Sequence, residues 1–213
     1  MTPSPAQERA APPRWGILGG TFDPVHYGHL VIAEQARDEL ALAGVLFLPA
    51  AQPVHKLGAA PAAAADRVAM IELAIADNPA FTLLALEVER GGPSFSVETM
   101  ERLVADRPTD EFVFIISAEN ARSFHTWRRP ERLLELCQVA IVNRLGYPTP
   151  GRGEMVERFG ALAERFLFVE SVELGHSASD IRARVAGGQS IRYLVPASVE
   201  DYIAQHRLYR KAD

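Results

Sequence analysis

The sequence predicts a doubly wound α/β fold, a mostly parallel sheet with helices on both faces. Three observations carry that prediction. Strand-like and helix-like stretches alternate along nearly the whole chain. Phe112-Val113-Phe114-Ile115-Ile116 is a nearly continuous apolar run, as in a strand covered on both faces. The first strand-like stretch, Trp15-Gly16-Ile17-Leu18, runs through a glycine turn into a helical pattern. In open parallel sheets ligands gather at such carboxyl ends.

Taken in order, Trp15–Leu18 is the first strand, and Leu30, Ala33, Ala36, Arg37 and Leu40 fall at helical spacing after it. Val45–Leu48 is the second strand. Val68, Ile71, Ala74 and Ile75 place a helix over Arg67–Ala76. Phe81–Leu86 reads as a strand, Ser96–Val104 as a helix and Glu111–Ile116 as a strand. A helix carrying Leu133, Leu134 and Leu136 follows Pro130, then a strand over Gln138–Asn143. Met155–Leu162 reads as a helix and Phe166–Val169 as a strand. Asp180–Val185 and Val199–His206 read as helices. The Ala-rich stretch Gly58–Ala65, with Pro61, reads as a mobile loop beside the site. The whole is Rossmann-like.

The chain has 213 residues, 48% hydrophobic and 23% charged, which suits one domain over 14–213. Residues 1–13, rich in Ala and Pro and without an apolar core, read as a flexible leader and not a secretory signal. No apolar stretch is long enough to span a bilayer. One cysteine, Cys137, excludes an internal disulfide and any multi-cysteine metal site. It reads as a packed helix end. A cytoplasmic enzyme fits these properties. The net charge of −5 argues against nucleic-acid binding by bulk charge, so an anionic substrate needs a local cationic pocket.

The densest chemistry lies in Gly19-Gly20-Thr21-Phe22-Asp23-Pro24-Val25-His26-Tyr27-Gly28-His29. A helix starting here offers unpaired N–H groups and a partial positive charge. Gly19 and Gly20 let a polyanion approach the backbone. His26 and His29, three apart at the helix start, can face one ligand. Four later segments add to this. His55 and Lys56 follow the second strand and can contact phosphate. Ser94 or Ser96 can cap the helix that opens there, whose N–H groups can hold a carboxylate. Ser117-Ala118-Glu119 precedes Trp127 and Arg128, and Trp127 can stack on a flat ring. Ser177-Ala178-Ser179-Asp180-Ile181-Arg182 opens another helix, with Arg182 in its first turn to clamp phosphate oxygens.

Together these segments resemble the nicotinate-mononucleotide adenylyltransferases of bacterial NAD synthesis, within the nucleotidylyltransferase superfamily. The family's Gly-Gly-Ser/Thr-Phe-Asp-Pro-x-His-x-Gly-His is met in full at Gly19–His29. Its Pro-Pro-His-Lys stands here as Pro53-Val54-His55-Lys56, and its Ser-Tyr-Thr as Ser94-Phe95-Ser96. Its Ile-Ser-Ser-Thr-x-Ile-Arg corresponds to His176–Arg182. Where the family usually has Gly-Ala-Asp against the nucleotide, this chain has Ser117-Ala118-Glu119. Ser117 adds a side chain at a close approach, and Glu119 keeps the charge on a longer stem.

The resemblance implies adenylyl transfer from ATP to nicotinate mononucleotide, with Mg²⁺ carried by ATP and no dedicated protein metal site. It implies catalytic roles for His26, His29, Lys56 and Arg182. ATP would lie against Gly19, Gly20, Thr21, Phe22, His26, His29, Ser117, Glu119, Ser177, Ser179, Ile181 and Arg182. The acceptor would lie against Asp23, His55, Lys56, Ser96, Trp127 and Arg128. No nucleic acid and no membrane partner is implied, and a homo-oligomer is left open. Two other readings share parts of the pattern. One is a different transferase of the superfamily, with a phosphopantetheine or nicotinamide mononucleotide acceptor. The other is a nucleotide-binding regulator without catalysis.

Overall fold

A computed structural model describes residues 11–52, 61–143, 145–172, 174, 175 and 177–210. Six strands form one all-parallel sheet: β1 (Arg14–Gly20), β2 (Gly44–Pro49), β3 (Phe81–Leu83), β4 (Glu111–Ser117), β5 (Gln138–Val142) and β6 (Phe166–Val169). Their order is β3-β2-β1-β4-β5-β6. The chain winds outward from β1 to one edge and then from β4 to the other. The crossovers therefore part between β1 and β4, and a crevice opens at the carboxyl ends of those two strands.

Side-chain alternation along these strands feeds two cores. Leu18, Val45, Phe47, Val113 and Ile115 pack with α1 (Tyr27–Glu39), α2 (Ala64–Ile75), α8 (Ala178–Ala186) and α9 (Ala197–Gln205). Ile17, Leu46, Phe112, Phe114 and Ile116 pack on the opposite face with α4 (Ser96–Asp106), α5 (Ala118–Ser123), α6 (Pro130–Leu136) and α7 (Arg152–Phe159). Both faces of β4 are buried, as its unbroken apolar run requires.

Several boundaries differ from the sequence reading. The strand expected over Phe81–Leu86 is only three residues long and is followed by a short helix, α3 (Leu86–Arg90). It is an edge strand, paired with β2 alone through Val45–Phe47, so little holds it extended. Turning into α3 buries Glu87, whose carboxylate accepts from Thr99 Oγ1 at 2.7 Å. The helix expected over Met155–Leu162 ends at Phe159 and passes into a 3-10 segment, Gly160–Arg165. Pro13, expected in the leader, already has its carbonyl bonded by the Glu111 N–H at 3.0 Å. Residues 1–10 of that leader, and residues 58–60 of the Gly58–Ala65 loop, lie outside the described residues, while Ala64 and Ala65 already belong to α2.

Cys137 is packed at the end of α6 as expected, 1% exposed, its thiol donating to the Leu133 carbonyl at 3.4 Å. Burial is the main cause that pushes this thiol up to about 12. Because the thiolate is the reactive form, the native protein is expected to leave Ellman's reagent unreacted at pH 8, and one thiol per chain to react in urea. Rapid labelling of the folded protein would contradict this packing.

Candidate functional site

At the switch point a cavity of about 550 Å³ opens over the carboxyl ends of β1 and β4. Gly19, Gly20, Thr21, Phe22 and Asp23 form its floor at the end of β1. Two aromatic rings crowd the glycines there. A Cβ on Gly19 would stand 3.0 Å from the Phe114 ring, and one on Gly20 3.1 Å from the Phe22 ring. Phe22 itself adopts a left-handed backbone, φ 51°, and is 1% exposed. The peptide bond Asp23-Pro24 is cis.

α1 begins directly after this turn. The His26 and His29 rings lie 3.8 Å apart between centroids, and the Phe22 ring meets His29 edge-on at 4.9 Å. His29 Nδ1 accepts the His26 N–H at 3.2 Å. A ring nitrogen that accepts an amide proton carries none of its own, so the neutral imidazole keeps its proton on Nε2. Both rings line the cavity.

Arg182 reaches the same region from α8. It stands at the start of the helix's second turn rather than in the first. Its guanidinium donates to the Asp23 carbonyl at 2.7 Å and to Ser179 Oγ at 3.2 Å, and lies 3.5 Å from Asp23 Oδ2. Ser177 caps α8: its oxygen accepts from the Asp180 N–H at 3.2 Å and its proton goes to Asp180 Oδ2 at 2.8 Å. That hydroxyl is occupied by the cap, whereas Ser179 accepts from Arg182 and keeps its own proton to donate. Ile181 is fully buried in the core beneath.

The opposite wall is built around Trp127, which packs on Phe124 and edge-on to Phe114 at 6.1 Å. Ser94 and Ser96 line the cavity nearby, but neither hydroxyl caps α4, whose N-cap position is Phe95. The Ser94 oxygen instead accepts the Ala51 N–H at 2.9 Å, tying the end of β2 to this wall. The first N–H groups of α4 open beside Ser96. Arg128 is not among the residues lining the cavity. It lies over the Phe95 ring at 4.5 Å and pairs with Glu98 at 2.9 Å. Ser117 caps α5 by accepting the Asn120 N–H at 3.4 Å, and it and Glu119 line the cavity. Beyond β5 and β6 the rim is apolar, with Leu145, Tyr147, Val172 and Leu174. The expected contacts His55 and Lys56 lie outside the described residues.

The sequence reading missed a buried cation. Arg67, 1% exposed on α2, donates to the carbonyls of Thr21 at 2.8 Å, Ala62 at 3.1 Å and Ala51 at 3.3 Å. It therefore joins three loops at the cavity wall. Its signal was a charge at the head of an apolar face, for Arg67, Met70, Ile71 and Ala74 are all buried on one side of α2. Asp23 was expected to touch the acceptor. It is 5% exposed, and its Oδ1 accepts from the Ala62 N–H at 3.1 Å and the Tyr209 hydroxyl at 2.8 Å. Asp23 thus holds the wall and Arg182 together.

The Gly19 constraint makes a direct test. Gly19→Ala is expected to lower stability by about 1–3 kcal/mol, the usual cost of overpacking a full core, read as a lower urea midpoint. An unchanged midpoint would mean that Phe114 yields freely.

Residues 17–184 match the cytidylyltransferase-like family model. The chain is 41% identical over 200 residues to a Thermomicrobium roseum protein named "Probable nicotinate-nucleotide adenylyltransferase", covering 94% of this chain and 93% of that one. It is 42% identical over 211 residues to a Synechococcus protein of the same name, covering 98% and 99%. Among solved structures, the nicotinic acid mononucleotide adenylyltransferase of Plasmodium falciparum complexed with NaAD superposes with TM-score 0.75 at 16% identity. That match covers 92% of this chain and 97% of the other, and it shows the shared fold.

Proposed function

The chain belongs to the cytidylyltransferase-like family and, within it, to the nicotinate-nucleotide adenylyltransferases, and from that premise we propose the reaction and the role of each group. The enzyme transfers the adenylyl group of ATP to nicotinate mononucleotide in NAD synthesis. The acceptor's phosphate oxygen attacks the α-phosphorus in line. The bond from that phosphorus to the bridging oxygen breaks, and pyrophosphate leaves with the electron pair. The attacking oxygen is already anionic, so no general base and no covalent enzyme intermediate is required. What remains for the protein is orientation and the stabilisation of charge at phosphorus.

One observation carries this reading: the paired histidines at the start of α1 line a cavity at the switch point. His29 Nε2–H donates to the α-phosphate. His26 flanks it. Arg182 and Ser179 hold the leaving phosphates, and Lys56 adds charge from the segment after β2. The substrate is the magnesium complex of ATP, since magnesium keeps most of its waters and binds chiefly through phosphate oxygens. Cationic and neutral donors, such as Arg182, His29 and Ser179, suit the phosphates of that complex. The apolar rim of Leu145, Tyr147, Val172 and Leu174 suits the adenine, with Glu119 and Ser117 toward its ribose. The pyridine ring lies by Trp127, and its carboxylate meets the opening N–H groups of α4 beside Ser96. Arg128 supports that end through Phe95 and Glu98. No helix of the described residues is long and apolar enough to cross a membrane; the use of free nucleotide substrates supports a cytoplasmic location.

Purified protein with ATP and Mg²⁺ is expected to release pyrophosphate with nicotinate mononucleotide and much less with the amide or with phosphopantetheine. Amide N–H groups aimed at a carboxylate are left unanswered by a carboxamide nitrogen. Equal turnover of acid and amide would refute the recognition proposed at α4. ATP binding without turnover of any acceptor would favour a non-catalytic role. Replacing His29 by Ala is expected to lower kcat by about 10²–10³-fold, the scale seen when one transition-state donor is removed. Near-normal turnover in that variant would remove His29 from the chemistry.

A further inference from the structure

Asp23 divides its carboxylate between two claims. Oδ1 accepts the Ala62 N–H at 3.1 Å and the Tyr209 hydroxyl at 2.8 Å. Oδ2 faces Arg182 at 3.5 Å, longer than a close ion pair, while the same Arg182 nitrogen donates to the Asp23 carbonyl at 2.7 Å. Tyr209 comes from beyond α9, 186 residues away in sequence. Its backbone is left-handed, φ 61°, a conformation that persists in a non-glycine residue where the surroundings hold it. Burial, and then the charge of Asp23, hold its hydroxyl protonated far above the ordinary tyrosine range, so it is a permanent donor.

We propose that Tyr209 is a positioning residue for Arg182, acting through Asp23. The proposal rests on the reading of Arg182 as a phosphate-binding group. Two neutral donors on Oδ1 fix the plane of the carboxylate and satisfy one of its oxygens. Arg182 is then held by Oδ2, the Asp23 carbonyl and Ser179 Oγ, with its remaining N–H groups left for phosphate oxygens. Without the Tyr209 hydroxyl, Oδ1 is open to a second guanidinium bond. The carboxylate can then turn toward Arg182 and take it as a bidentate partner. A fork closed on Asp23 is withdrawn from the ligand. In this arrangement the end of the chain sets how much of Arg182 the substrate receives, although Tyr209 touches no phosphate.

A double-mutant cycle on phosphate binding tests this. Wild type, Tyr209→Phe, Arg182→Met and the double variant are titrated with pyrophosphate by calorimetry. The same four are assayed for turnover with ATP and nicotinate mononucleotide. Tyr209→Phe, which removes one oxygen, is expected to bind pyrophosphate about tenfold more weakly, the scale of one lost hydrogen bond to a charged group. Its kcat falls in parallel while KM for nicotinate mononucleotide holds. In the Arg182→Met background the same change has no further effect. Wild-type binding by Tyr209→Phe, or an equal loss in both backgrounds, overturns the proposal. If Tyr209→Phe does not fold, Asp23→Asn takes its place in the cycle, with the same non-additivity expected and additivity equally fatal. Pyrophosphate binding without turnover in the wild type would refute adenylyl transfer while the binding cycle still decides Tyr209. Absence of both would overturn the two together.

Discussion

Arg67 carries a full charge into a region almost closed to water, and three loops are fixed by how that charge is satisfied. Burial pulls its pKa down from the ordinary arginine value, while Asp23 and Tyr209 push it back. The ordinary value is so high that the side chain stays protonated. A buried cation with no acceptors would be worth several kcal/mol of lost stability. Here the carbonyls of Thr21, Ala51 and Ala62 supply them. Those carbonyls belong to the turn after β1, the segment after β2 and the approach to α2. None is held in this geometry by the sheet ladder. The cation therefore does for the loops what hydrogen-bonded pairing does for the strands, and the floor of the cavity inherits its shape from it.

The same neighbourhood resolves an apparent conflict of charge. The chain is net negative, yet its site must receive a triphosphate and a phosphate. Asp23 sits between Arg67 and Arg182, one negative charge beside two positive ones, with Tyr209 neutral on its edge. These three groups together leave one positive charge at this end of the cavity, beside His29 and the start of α1, while Glu87 and Glu119 line it elsewhere. Sequence-wide charge is diluted over a screened surface, whereas these groups act at short range in a poorly hydrated crevice. Local arrangement thus outweighs the global sum.

How much of this was legible in the sequence follows from what is local. Most strands and helices were, because apolar period and length are properties of neighbouring residues, whereas the short α3 and α5 were not read. The turn from Gly19 to His29 was too, because one continuous run carries it. The sequence also suggested that Gly19 and Gly20 serve close approach to a ligand, and the structure adds a second reason in the rings of Phe114 and Phe22. The edge strand misled, since its length depends on partners: β3 pairs on one side only and gives way to α3. Ser177, expected as a phosphate donor, caps α8 through Asp180 three residues on while also lining the cavity. Arg67, Asp23 and Tyr209 are separated by 44 and 142 to 186 positions. Their meeting is set by tertiary packing, and no local pattern encodes it.

The two halves of the cavity also differ in what they are made of. At the proposed phosphate end the candidate groups are side chains, His29, Arg182 and Ser179, each bonded to a second residue. At the proposed acceptor end the candidate donors are main-chain N–H groups at the head of α4, near Trp127 and the tie from β2 to Ser94. Main-chain donors have no residue identity. They depend on where the helix begins, and Phe95 occupies the N-cap position with no side-chain oxygen to consume them. A serine or aspartate there would cap the helix and compete with any incoming carboxylate for the same N–H groups. An uncapped helix start is less stable on its own, and the missing partner is what a carboxylate-bearing substrate supplies. In the proposed reading, preference for the acid over the amide follows from a helix start that no N-cap side chain serves.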